Sequence, residues 1–242
     1  MHGNRYQTGE KPLMSINFSP WKPPSITIRN SSDRFPVRRI YTIGRNYADH
    51  AAETGLGQSA GSVPGVSLKP ADSLIGDGDT LVYPPATEQL DPEVEMVIVI
   101  GRSGENIPTD AALEHVFGYA VGFDMIRRDI MRECIVNEHS WDLCKSFAGA
   151  SPVGDITPAS EIGHPDAGSI SLKVNGEIRQ SGDISGLIWN TAEIVSRLSG
   201  YGALEPGDIV FTGTPKGPGP VRRGDVLTGS VEGVGTLEIR IG

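Results

Sequence analysis

Cysteine is nearly absent: Cys134 and Cys144 are the only two in 242 residues. Ten positions apart and without C-x-x-C spacing, they make neither a disulfide framework nor a zinc site, and they fit a reducing cytoplasm. Aromatic residues are scarce, at 6%. No apolar run approaches the 18 residues of a membrane span, and Met1 to Pro12 lacks the apolar stretch of a signal peptide. Positive charge is also short, with 21 Lys and Arg against 30 Asp and Glu. A nucleic acid needs a basic footprint, so it is excluded as the main partner. A small anion stays open, because a metal ion and a few local cations can reverse the field inside a pocket. Several signatures are missing too: G-x-x-x-x-G-K-[ST], G-x-S-x-G, H-E-x-x-H, and a G-x-G-x-x-G that opens a helix.

What the chain has in excess is glycine. There are 31 Gly, nearly twice the share expected from an average usage of about 7%. With 18 Pro, this predicts many turns and short strands rather than long helices. Strands are expected over 25–29, 37–43, 90–101 and 116–124. Asn175-Gly176 between two alternating segments predicts a hairpin. Asn46 as N-cap and Gly55 past the end predict a short helix between them. Charged residues at helical spacing predict a second helix over 126–138, and an amphipathic pattern a third over 188–198. Residues 57–66, rich in Gly and Ser, read as a mobile loop, and 1–24 as loose chain. The expected class is α+β, dominated by strands, with residues 1–36 as an N-terminal extension or small cap and 37–242 as one large domain.

Three carboxylates stand out. Glu93 and Glu95 are two apart on the strand expected over 90–101, so both leave the same face, about 7 Å apart. Val97 and Val99 share that face; Val94, Met96, Ile98 and Ile100 line the other. A strand apolar on both faces is normally buried on both. Two carboxylates there either emerge into water or surround a cation, because buried like charges repel. Asp124 closes the apolar run that begins at Val116, which would bring a third carboxylate to a strand end or make it the N-cap of the next helix. An all-oxygen set of this kind suits Mg²⁺, Mn²⁺ or Ca²⁺ rather than zinc. His50 and Glu53, three apart on the first helix, share a face. A carboxylate that orients an imidazole makes a water-activating base; a solvated surface pair is the plainer reading. Lys145 is either a pocket cation or a solvated lysine.

Taken in order, these segments resemble the fumarylacetoacetate hydrolase family. The resemblance rests on Ile43-Gly44-Arg45-Asn46-Tyr47 with His50 and Glu53, on Lys69-Pro70 and on Glu93-Val94-Glu95. It continues through Gly118-Tyr119 to Asp124, Arg128-Asp129, Trp141 and Lys145-Ser146-Phe147. Later segments are Val174-Asn175-Gly176-Glu177, Leu204-Glu205-Pro206-Gly207-Asp208, Thr212-Gly213-Thr214-Pro215 and Gly224-Asp225. Within the family, the segments around Arg34 to Tyr41 and Gly182 to Ile184 look most like acylpyruvate hydrolases. The resemblance implies a multilayer mixed β-sheet roll with few short helices, assembled as a cytoplasmic homodimer. Glu93, Glu95 and Asp124 match the ligands of Mg²⁺ or Mn²⁺. His50, Glu53 and Lys145 match the catalytic residues, and Arg45, Arg128 and Thr214 line the substrate site. The implied reaction is metal-dependent hydrolysis of the C3–C4 bond of a 2,4-dioxo acid such as fumarylpyruvate. The alternative is another conversion of a small 2-oxo acid, in particular oxaloacetate decarboxylation. Departures from the pattern are Ile126 and Met131, where Thr and Gln are common, and Pro218 where Val is usual. They thin the polar contacts expected near the acyl end, which leaves an apolar acyl group open as well as fumaryl.

Overall fold

The computed structural model describes residues 21–53 and 64–242, with backbone alone for 51–53. Among these residues fifteen strands follow one another. The first eight are β1 (Ser25–Thr27), β2 (Arg34–Pro36), β3 (Arg39–Gly44), β4 (Gly65–Lys69), β5 (Leu74–Ile75), β6 (Thr80–Leu81), β7 (Leu90–Ile100) and β8 (Val116–Arg127). The rest are β9 (Ser151–Pro152), β10 (Thr157–Pro158), β11 (Ser169–Val174), β12 (Glu177–Asp183), β13 (Asp208–Phe211), β14 (Val226–Val231) and β15 (Gly235–Ile241). Five α-helices among the described residues separate them: α1 (Ala48–Glu53), α2 (Arg128–Val136), α3 (Asp142–Lys145), α4 (Ala159–Ile162) and α5 (Thr191–Tyr201). The class is α+β, as the composition predicts. Among the described residues no helix is long and apolar enough to cross a membrane.

Two sheets make the body. One runs β10-β8-β7-β13-β3-β4, the other β12-β11-β14-β15-β6. Between them lies the larger core. Val94, Met96, Ile98 and Ile100 of β7 meet Leu172, Leu227, Leu237 and Ile239 of the second sheet. The opposite face of β7 carries Val97 and Val99 into a second core with Ile40, Ile209 and Phe211, closed over by Ile26 and Phe35 of the β1–β2 hairpin. All eleven residues of β7 are therefore buried, and its sequence reads as a near-continuous apolar run because hydrocarbon covers both faces. The layers approach closely enough to require missing side chains. A Cβ at Gly229 would lie 2.6 Å from the Phe123 ring, and one at Gly122 2.6 Å from the Phe211 ring.

The hairpin at Asn175-Gly176 forms as expected. Its positive φ values of 52° and 85° suit the tight turn that fits strand twist, and Val174 pairs with Glu177 across it. Other expectations shift. β8 does not end at Asp124 but runs on to Arg127, since Met125 and Ile126 keep pairing with Pro92 and Asp91. The next helix accordingly begins at Arg128 rather than 126. Asn46 is not the N-cap of α1, which starts at Ala48. Its amide is fully buried and binds the main chain of Trp189 and Thr212 instead. α5 starts at Thr191, because Asn190 and Glu193 form a capping box there. Residues 65–66 belong to β4, while 57–63 of the expected mobile loop and 1–20 lie outside the described residues.

Candidate active site

Antiparallel pairing of β7 with β8 puts Glu93 opposite Asp124 and Glu95 opposite Gly122. Cross-strand partners share a face, as do residues two apart. The three carboxylates therefore converge, and one oxygen from each lies within 4.8 Å of the others. All are buried, with Glu93 5%, Glu95 2% and Asp124 1% exposed. The solvated reading of Glu93 and Glu95 is thus excluded.

The cations around them come from three elements. Lys69, at the end of β4, donates to Asp124 Oδ1 at 2.6 Å and to the Ala150 carbonyl at 2.5 Å. Lys145, in α3, donates to Asp124 Oδ2 at 2.5 Å; the lysine is buried rather than solvated. Arg128 opens α2 and spans two carboxylates, with Nε on Asp91 at 2.8 Å and Nη2 on Glu93 Oε1 at 2.5 Å. His50 Nε2 stands 3.6 Å from that same Glu93 oxygen. Glu95 has no cation in hydrogen-bond contact among the described residues; the Gly213 N–H donates to its Oε2 at 2.6 Å.

Charge follows position. Burial, then the repulsion of Asp124 and Glu93, pushes the Glu95 carboxyl well above the usual carboxylate range. Burial also pushes Asp124 upward, but Lys145 and Lys69 outweigh it and hold that carboxyl down at about 2. For Lys145, burial disfavours the charge, yet Asp124 and Glu93 more than restore it and the ammonium is held firmly protonated. Lys69 goes the other way, lowered chiefly by burial despite Asp124.

Can these residues hold a metal? Three cations and four carboxylates (Asp91, Glu93, Glu95, Asp124) leave the buried cluster with an excess of negative charge, and Glu95 carries the electrostatic cost. A divalent cation among the three converging oxygens would offset it, and an all-oxygen donor set fits a hard ion. The residues fit.

Of the remaining candidates, Arg45 turns the chain after β3 at a φ of 61°. It lines a narrow cleft over the carboxylates with Ile43, Trp141 and Thr214. The Thr214 hydroxyl donates to the Val94 carbonyl and accepts from Gln180 Nε2. Glu53 ends α1, and its side chain lies outside the described residues. Beside the cleft, and sharing His50, Arg128 and Met131 with it, opens a cavity of about 450 Å³. Three residues of this site were assigned no role by sequence reasoning. Asp91 was legible, since it occupies the Gln89-Asp91-Glu93-Glu95 row at period two. Lys69 stood out only as part of a motif. Gln180 gave no local signal.

An α+β enzyme built around a buried carboxylate centre is the class that fold and site define. The model of the fumarylacetoacetate (FAA) hydrolase C-terminal domain matches residues 39–242. The chain belongs to the fumarylacetoacetate hydrolase family. Among its relatives, the mitochondrial oxaloacetate tautomerase of Mus musculus is 38% identical over 204 residues, covering 84% of this chain and 91% of its own. A fumarylpyruvate hydrolase of a Ralstonia species is 38% identical over 174 residues, 72% of this chain and 90% of its own. A fumarylpyruvate hydrolase from Pseudomonas aeruginosa, solved in complex with Mn²⁺ and pyruvate, superposes with a TM-score of 0.91 at 44% identity. The match covers 94% of this chain and 99% of that one.

Proposed function

We propose that the protein hydrolyses the C3–C4 bond of an acylpyruvate, a 2,4-dioxo acid such as fumarylpyruvate, to pyruvate and a carboxylic acid, with Mg²⁺ or Mn²⁺ as cofactor. The observation that carries this reading is the convergence of three buried carboxylates beside His50, in a cleft that leads into a separate cavity. It is supported by the names of the fumarylpyruvate hydrolases to which the chain is similar.

Glu93, Glu95 and Asp124 would hold the ion. When bound, it supplies Lewis-acid stabilisation for negative charge developing on the 2-oxo oxygen of the substrate. The other steps belong to the side chains. His50, with Glu53 three residues along the same helix face, takes a proton from water. The hydroxide oxygen attacks C4, the C3–C4 bond breaks, and its electron pair leaves with the pyruvate fragment. Protonation at C3 then completes pyruvate. Lys145, kept charged by Asp124 and Glu93, places a fixed positive charge beside that developing anion, in a site where burial weakens screening. Arg45 and Arg128 orient the oxo-acid end, while Arg128 also fixes Glu93 and Asp91 in place. Thr214, tied to Val94 and Gln180, lines the cleft and faces the substrate.

A second reading is favoured by the oxaloacetate tautomerase relative. Oxaloacetate offers the same carboxylate and 2-oxo group, and negative charge develops across C3 and the 2-oxo oxygen in both of its conversions, by loss of a C3 proton in tautomerisation and by loss of CO₂ in decarboxylation. Two assays on Mg²⁺-loaded protein separate the readings. One follows the loss of diketo-enol absorbance for fumarylpyruvate and acetylpyruvate; the other follows enol–keto conversion and pyruvate release with oxaloacetate. Rapid, chelator-sensitive loss of a diketo acid with stoichiometric pyruvate is the expected result. Turnover of oxaloacetate alone would overturn hydrolysis in favour of the second reading.

A further inference from the structure

The cavity of about 450 Å³ beside the cleft has an uneven lining. Met131, Ile135, Pro218 and Pro220 make it apolar. At its outer part Arg132 projects from α2, with Nη2 donating to Gln89 Oε1 at 2.9 Å. Gln89 in turn donates to both oxygens of Asp91, Asp91 accepts from Arg128, and Arg128 donates to Glu93. An unbroken polar chain therefore runs from the carboxylate centre to the Arg132 guanidinium. Along β7 it follows the row of Glu93, Asp91 and Gln89, and along α2 it follows Arg128 and Arg132.

From this geometry we infer that the cavity selects acyl groups ending in a carboxylate, with Arg132, braced by Gln89, as the residue that binds it. The inference rests on the reading that the oxo-acid end of an acylpyruvate sits at Glu93, Glu95 and Asp124. Spacing supports it. Arg128 and Arg132 are one turn apart on one face of α2, a rise of about 6 Å. In a seven-carbon dioic substrate the terminal carboxyl carbon lies five bonds beyond C2. With bonds of about 1.5 Å set at tetrahedral angles, that is an extended reach of about 6 Å. The chemistry supports it as well. An apolar acyl chain would need no cation here, whereas a carboxylate entering a cavity lined by Met, Ile and Pro needs a charged donor to replace its water. Arg132 thus offers a polar contact at the acyl end, where Ile126 and Met131 offer none.

Calorimetric titration of the Mg²⁺-loaded protein with two unreactive probes tests this without turnover. The probes are 2-oxoheptanedioate and 2-oxoheptanoate, equal in length and different only in the terminal carboxylate. The dioate should bind about tenfold more tightly, the low end for a hydrogen bond to a charged group. Arg132→Ala should remove that preference and leave 2-oxoheptanoate unchanged; Arg132→Lys should keep part of it. Because Arg132 is exposed on α2, neither variant removes a buried contact. Equal Kd values for the two probes in the wild type, or a dioate preference that survives Arg132→Ala, would overturn the inference. Failure of both probes to bind would overturn the underlying placement of the oxo-acid end. The hydrolysis assay is separate, so a protein that prefers the dioate but cleaves no acylpyruvate would keep this pocket and lose the proposed reaction.

Discussion

The two halves of β7 lie on one continuous strand and live in different surroundings. From Val97 to Val99 the strand is sandwiched between ladders, β8 on one side and β13 on the other, and it buries only hydrocarbon. From Leu90 to Met96 the β8 ladder continues, but β13 has ended. The open edge is closed by other means. Gln180 Oε1 accepts from the Val94 N–H, and the Thr214 hydroxyl donates to the Val94 carbonyl. Thr212 donates to the Met96 carbonyl, and the Val221 N–H to Leu90. The site thus sits where sheet pairing stops. Regular ladders leave no room for chemistry, whereas an edge completed by a loop admits a cleft and lets an amide such as that of Gly213 reach Glu95. The apolar half supplies rigidity, and the acidic half stores electrostatic strain that a metal relieves.

Glu95 breaks this comparison at its sharpest point. Glu95→Gln keeps the shape and removes the charge that lacks a cation partner. Loss of one of the three proposed ligands should cost several kcal/mol of transition-state stabilisation, on the order of a thousandfold in kcat/KM. The metal Kd, read by calorimetry, should rise in parallel. In the apolar half the effects should exchange places. Ile98→Ala should cost about 2–5 kcal/mol in denaturant unfolding, with kcat per folded molecule unchanged. If Ile98→Ala reduced kcat strongly while Glu95→Gln left it intact, the division between the halves would be wrong.

Gln180 tests the edge itself. Gln180→Leu leaves the Val94 N–H without a partner and frees the 214–215 loop, since its amide also donates to Thr214 and Pro215. A buried donor left unpaired costs about 1–3 kcal/mol. The expected outcome is a stability loss in that range together with a raised KM, because Thr214, which lines the cleft, loses a tether. A stability loss with KM unchanged would mean that the loop holds itself in place.

Much of this contrast was legible in the chain. Alternation along 93–100 gives both faces of β7 and the common direction of Glu93 and Glu95, and Asn175-Gly176 marks its turn without context. What stayed hidden depends on partners far along the chain. Asp124 reads as a strand end because the apolar run stops there; pairing with the Leu90–Pro92 segment carries β8 three residues further. Asn46 reads as a helix cap from its neighbours, yet its amide serves Trp189, 143 positions away. Gln180 serves Val94 across 86 positions, and no local period records such a bond. The roles of His50, Glu53 and Arg45 rest on the family resemblance, because local pattern offers an exposed helix pair and a turn arginine equally well.

The smallest expected effect separates the halves by pH. The Glu95 carboxyl is raised in the folded protein, by burial first and by Asp124 and Glu93 next, so between the two pKa values the folded state binds a proton that the unfolded chain has released. Stability of the metal-free protein should therefore fall as pH climbs above the unfolded value of about 4.3 and on through the folded one, by at most about 1.4 kcal/mol per pH unit. Asp124 contributes with the opposite sign, but its window lies lower: depressed to about 2, it loses its stabilisation only as pH falls below the usual carboxylate range. Thermal unfolding in a chelator between pH 5 and pH 8 isolates Glu95 when wild type and Glu95→Gln are compared. The variant should be the more stable at pH 8, the two should converge toward pH 5, and saturating Mg²⁺ should close the gap by stabilising the wild type. A chain of this size shifts Tm by about 2–4 °C per kcal/mol, so the difference is measurable. Parallel pH curves for the two proteins would mean that Glu95 ionises freely in the empty cluster, and that the acidic half of β7 carries no more strain than the apolar half.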